Sequence, residues 1–123
     1  MSKLKLALKR KIIFDPVLGF TFYLQVGGTE IETYQWIQSK LGWKIPDQLG
    51  ANTGSFGVNS NNNFVGVLWL SNKCGGSTVV HEVAHAAIHV CRALDMNPLT
   101  CEEFFTSYTG WLFRQVNLFM QRK

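Results

Sequence analysis

The sequence predicts one α+β domain, in which a small mixed or antiparallel sheet is joined to an N-terminal helix, a second helix carrying His81 and His85, and a C-terminal helix. Three observations lead there. Runs of β-branched and aromatic residues bounded by Gly, Asn and Ser occur at 19–26, 54–59 and 64–71. Between and after them, apolar residues recur at helical spacing. The chain has 123 residues, enough for one buried core and too few for two ordinary domains, so residues 1–123 are taken as a single unit.

Residues 3–14 combine alternation with a short apolar run and suit either a strand or a helix. Gly19 to Val26 has the composition of a strand, which Gly27 and Gly28 end. Thr29 and Glu32 have the T-x-x-E spacing of a capping box, and Ile31, Tyr34, Ile37 and Leu41 mark a helix that Gly42 stops. Residues 44–53 read as a loop. Gly54 to Asn59 and Phe64 to Ser71 then form a β-hairpin around the Ser60–Asn63 turn. Ser77 or Thr78 is placed to cap the second helix, which runs to about Asp95 before Asn97-Pro98 breaks it. The last helix starts near Pro98 to Thr100 and carries Phe104, Phe105, Tyr108, Trp111, Leu112, Val116 and Phe119 as a broad apolar face.

Composition excludes several classes. The chain is 46% hydrophobic, but no apolar run approaches the ~18–20 residues that span a bilayer. The first eleven residues interleave Lys with Leu and lack the unbroken apolar core and cleavage site of a secretory signal, so export by that route is not expected. Cys74, Cys91 and Cys101 include no CxxC pair and suggest neither a disulfide framework nor a cysteine-only zinc site; a cytoplasmic setting fits them best. The formal charge of +4 is concentrated in Lys3, Lys5, Lys9, Arg10 and Lys11, ahead of every acidic residue. This basic segment, residues 1–11, reads first as a solvated face and second as an arm attracting nucleic acid.

The chemistry lies in His81-Glu82-Val83-Ala84-His85. Residues four apart on a helix share a face, so both imidazoles can be directed at one ion while Glu82, about 100° round the axis, flanks its bound water. A catalytic zinc ion takes three protein ligands and keeps a fourth position for water, whose proton a neighbouring carboxylate removes. Glu82 is the candidate general base. A surface helix that carries histidines by chance is the plain alternative. Against it, Glu82, His85, His89 and Arg92 share one narrow sector, and Val79, Val80, Val83, Ala84, Ala87, Val90, Cys91 and Leu94 cover the rest. Such a helix is expected to be largely buried, its polar stripe lining a cleft. His89 lies roughly 12 Å from His81 along the helix, too far to share the ion, and is expected to hydrogen-bond instead.

These residues, with the hairpin before them and a helix starting Cys101-Glu102-Glu103 after them, resemble a minimal gluzincin over roughly Gly54 to Phe119. The resemblance extends to small phage- and bacteria-encoded metallopeptidases, which have an aromatic and Gly-containing stretch like Tyr108-Thr109-Gly110-Trp111. It implies a zincin-like fold, a Zn2+ cofactor and a zinc-dependent endopeptidase in the cytoplasm, of the host cell if phage-encoded. It also implies a third ligand from a Glu on the last helix. Glu103 shares a helix side with Ser107 and Gly110 and matches the expected spacing to Gly; Glu102 is the alternative, since Thr100 and Glu103 also have capping-box spacing. The order of elements is similar to SprT-like and ImmA-like proteases too, but no His follows His89 to serve as the SprT-type third ligand.

In zincins the strand before the active helix is an edge strand that pairs with extended substrate. The resemblance thus assigns substrate binding to positions 66, 68 and 69 (Gly66, Leu68 and Trp69) and to Tyr108, whose hydroxyl could polarise a carbonyl; packing is the rival role for each. A protein or peptide substrate is expected and a membrane partner is not. The competing function is a catalytically silent, zinc-stabilised structural or partner-binding module, possible in a phage particle, for which Glu82 would be dispensable.

Overall fold

The computed structural model describes residues 8–59 and 61–122. Seven elements follow in order: β1 (Lys9–Phe14), β2 (Thr21–Val26), α1 (Glu30–Leu41), β3 (Gly54–Asn59), β4 (Asn62–Leu70), α2 (Gly76–Ala93) and α3 (Glu102–Gln121). The α+β class is as expected, and the sheet is mixed, in the order β1-β2-β4-β3. β1 runs antiparallel to β2, β2 parallel to β4, and β3 antiparallel to β4. No helix among the described residues is long and apolar enough to cross a membrane.

Alternation along the strands divides the core between the two faces of the sheet. Phe20, Phe22, Leu24, Leu68 and Leu70 face α2 and α3, where they meet Val79, Val83, Ala86, Val90, Leu112 and Val116. Val67 faces the other way and packs with Tyr34 and Ile37 of α1, flanked by Tyr23, Trp36 and Trp43. The layers are therefore α1, sheet, and the α2–α3 pair.

Helix α1 uses the predicted signals. Thr29 Oγ1 accepts from Glu32 N–H, Glu32 Oε1 accepts from Thr29 N–H, and Gly42 ends the helix in the left-handed conformation. Glu30 also holds the following loop, its carboxylate accepting from the N–H groups of Gly50 and Ala51 at 3.0 Å each. The other two helices start differently from expectation. The N-cap of α2 is Gly75, which leaves the Ser77 and Thr78 hydroxyls inside the first turn. The N-cap of α3 is Cys101, so the Thr100–Glu103 capping box does not form; Thr100 Oγ1 donates instead to the Asn97 carbonyl.

The basic N-terminal segment is partly structural. Residues 1–7 lie outside the described range, but Lys9, Arg10 and Lys11 begin β1. Lys9 Nζ donates to the carbonyls of Phe119, Met120 and Arg122, placing a cation on the negative end of α3. Arg10 lies over the Trp36 ring and donates to Gln25 Oε1 at 2.9 Å.

Tyr34 gives the fold a sensitivity to alkali. Its hydroxyl packs against Gly57 of β3, and burial first, then the Glu30 charge, push its pKa up to about 12. An unfolded chain loses that proton near ~10. Below this value both states are protonated and the contribution is complete; as pH rises towards the folded value, the unfolded state alone ionises and stability falls. The loss should reach roughly 2–3 kcal/mol near the upper end. The buried hydroxyl of Tyr108, also raised, acts in the same direction. Urea midpoints of the parent should therefore drop steeply above about pH 10, and Tyr34→Phe should flatten the profile. Parallel profiles for the two proteins would show that Tyr34 is not responsible.

Candidate active site

Helix α2 brings the two predicted histidine ligands together. His81 and His85 are exposed, their rings stand edge to face, and their Nε2 atoms are 3.1 Å apart. In tetrahedral zinc with Zn–N bonds of ~2.0–2.1 Å, two ligand nitrogens stand roughly 3.3 Å apart, so the pair fits one ion. Without an ion, one imidazole must donate Nε2–H to the other.

Glu82 belongs to the same turn but is only 8% exposed. Its carboxylate makes no hydrogen bond among the described residues, yet no buried side-chain oxygen is left without a partner, so its oxygens open towards solvent. They do so into a cleft of about 410 Å3 lined by Thr53, Ser77, Thr78, His81 and Glu82. The acid is thus held by packing around its stem and left free at its tip.

Gly54 makes that packing possible. A Cβ at this position would stand 2.9 Å from Thr78 Cγ2 and 3.2 Å from Glu82 Cγ and Leu70 Cδ2. Gly54→Val should therefore displace Glu82 or push α2 from the sheet, at a cost of about 1–3 kcal/mol. Urea unfolding measures it, and an unchanged midpoint would mean that α2 backs away freely.

The remaining predicted residues divide clearly. His89 is not directed at the pair: its Nε2–H donates to the Asn63 carbonyl at 2.7 Å and its ring lies against Phe56, tying α2 to the hairpin turn. Glu102 and Glu103 are exposed in the first turn of α3. No group of three His, Cys, Asp or Glu side chains converges among the described residues, and residues 1–7, Ser60 and Lys123 include none of these types. Neither Glu is therefore gathered with His81 and His85. Along α2, Val79, Val83, Ala87, Val90 and Cys91 are buried as expected, Ala84 and Leu94 are only half-buried, Ala86 is buried in addition, and Val80 is 48% exposed beside a groove formed with Phe105, Thr109 and Phe113.

The substrate-strand assignment needs correction. β4 is an inner strand, with β2 on one side and β3 on the other, so its backbone cannot add a peptide. Gly66 lies beneath the Phe56 and Phe22 rings, Leu68 is fully buried, and Trp69 is buried with Nε1–H donating to the Gly27 carbonyl. Tyr108 is also a packing residue. Its hydroxyl donates to Asp15 Oδ2 at 2.9 Å, and burial, followed by that bond and the Asp15 charge, raises its pKa.

The free edge on the cleft side is β3. Thr53 O accepts from Ser71 N, so alternation of the antiparallel ladder turns the backbone groups of Gly54, Phe56 and Val58 outwards. The sequence pattern identifies the hairpin but not which arm is exposed. The sequence assigns Ser77 and Thr78 to capping and Thr53 to a loop, so their place on the cleft wall is not read from it; the dense Gly and hydroxyl content flanking the motif is their only local signal. Searches of the chain against protein-family models, curated proteins and solved structures return no match.

Proposed function

We propose that this chain is a zinc-dependent endopeptidase of gluzincin type, with a zincin-like arrangement in which His81 and His85 hold the ion and Glu82 is the general base. The observation that carries the proposal is the convergence of the two Nε2 atoms beside an unpartnered carboxylate at the mouth of a cleft. A bound zinc ion supplies Lewis acidity towards water and a carbonyl oxygen. Glu82 takes the proton of the attacking water and returns it to the leaving amine. The outward backbone groups of Gly54, Phe56 and Val58 offer an extended peptide a strand to pair with, which would align it along the cleft. The third protein ligand in this reading is Glu103, or alternatively Glu102, after movement of the first turn of α3.

The dispersed position of both acids favours a second reading, in which the histidine pair holds zinc with groups from outside the chain and serves a structural or partner-binding module. Equilibrium dialysis with zinc tests the first step. One ion per chain is expected, lost in His81→Ala and in His85→Ala while circular dichroism is unchanged. Loss in Glu103→Ala or Glu102→Ala would identify the third ligand. Zinc retained in both single variants and in their combination would remove the gluzincin assignment, and no zinc uptake by the parent would remove both readings.

A further inference from the structure

Among the described residues the sheet has a second free edge, β1, on the side away from the cleft. Asp15 N–H donates to the Phe20 carbonyl, so alternation directs the backbone groups of Lys9, Lys11 and Ile13 at β2 and those of Arg10, Ile12 and Phe14 outwards. The side chains divide in the same way. Lys9 and Ile13 turn to the α2–α3 face, whereas Arg10, Ile12 and Phe14 lie on the face carrying α1. Helix α1 packs on β4 and β2 and reaches β1 through Trp36 over Arg10, and the rest of this margin is open: Ile12 is 46% and Phe14 57% exposed. A free strand edge with an apolar stripe is a template for another strand.

The distribution of charge selects the partner. Cations occupy the first half of β1 and apolar residues the second. Parallel pairing of two copies would set Lys9, Arg10 and Lys11 beside their equivalents. An antiparallel two-fold at Lys11 would place the two Lys11 residues opposite each other, and one at Ile13 would place Arg10 opposite Pro16, which has no N–H. A two-fold at Ile12 avoids these conflicts. It sets Ile12 against Ile12, Arg10 against Phe14 of the second copy, Lys11 against Ile13, and Lys9 at the Asp15 end. All the outward-facing residues then meet outward-facing residues, and each such pair can exchange both backbone hydrogen bonds. Arg10, already stacked on Trp36, would receive the second copy's Phe14 on its other side.

We infer that β1 is a homodimerisation edge, joining two copies antiparallel about Ile12 into a continuous eight-stranded sheet. The β3 edge and its cleft remain free in this dimer, so it stands independently of the proposed activity. Size-exclusion chromatography with light scattering across a dilution series should give twice the chain mass, falling to the chain mass on dilution. Ile12→Pro deletes an outward N–H and leaves the β1–β2 ladder intact, and should give a monomer with unchanged circular dichroism. Because proline also restricts the strand backbone, Phe14→Lys and Phe14→Glu provide the sharper comparison: Lys opposite Arg10 should abolish the dimer, whereas Glu should retain it in a salt-sensitive form. A parent that is monomeric at every concentration overturns the inference, as does a dimer that survives Phe14→Lys. Equal effects of Lys and Glu overturn the register. A monomer that dimerises only after residues 1–7 are deleted would mean that the chain covers its own edge, and also overturns it.

Discussion

Replacing Glu82 with Gln should reduce peptide hydrolysis by about 10²- to 10⁴-fold while leaving zinc content and folding unchanged. Gln keeps the shape of the side chain whose stem lies close to Gly54, so the stem packs as before. The amide cannot accept the proton of water at its tip, which is where the parent side chain has no partner. The fall should appear in kcat, because the role proposed for Glu82 is a transition-state interaction rather than an attachment point for peptide. A quenched fluorescent peptide library and metal analysis on the same preparations give both quantities. If Glu82→Gln hydrolyses the library at the parental rate, Glu82 is not the base; if the parent hydrolyses nothing while binding zinc, the histidine pair belongs to a silent module. His81→Ala and His85→Ala differ from Glu82→Gln in the metal content, so the three variants separate ion binding from proton transfer.

The parts of this molecule that were legible are those set by short stretches of chain. The Thr29–Glu32 box and Gly42 specify α1 within fourteen residues, and each makes the interaction its type and spacing imply. The meeting of His81 and His85 follows from one helical turn. Properties set by distant parts of the chain were not legible. Whether a strand is at the edge depends on every other strand, and the hydrophobic run of β4 is equally consistent with an edge facing a core and with an inner strand covered on both faces. β2, about forty residues earlier, decides it by parallel pairing. The same holds for Tyr108, whose hydroxyl is engaged by Asp15 from 93 residues away. Capping failed for a different reason: Ser77 and Thr78 are good caps, but Gly75 precedes them, and starting the helix there leaves their hydroxyls to line the cleft.

Leu68→Ala separates the two roles that the β4 sequence permits, with a large expected effect. If β4 bounded a substrate groove, shortening Leu68 would raise KM and spare stability. Its side chain is fully buried in the cluster formed with Phe22, Leu24, Leu70, Val83 and Leu112, on the strand that β2 and β3 enclose. Removing a buried isobutyl group loses its transfer free energy and leaves a cavity that strands hydrogen-bonded on both sides cannot readily close. The cost should be about 2–5 kcal/mol, a large share of the ~5–15 kcal/mol that stabilises a domain of this kind. Urea unfolding should show a lower midpoint at an unchanged slope, since the surface exposed on unfolding hardly changes. The damage should also reach the cleft, because Val83 follows Glu82 in α2 and belongs to the same cluster. A Leu68→Ala protein with the parental midpoint would show that this position is not in the core and would reopen β4 as a binding surface. A loss of stability with zinc binding retained would fix Leu68 as a residue that supports α2 from the sheet, one strand in from the β3 edge on which a peptide would align.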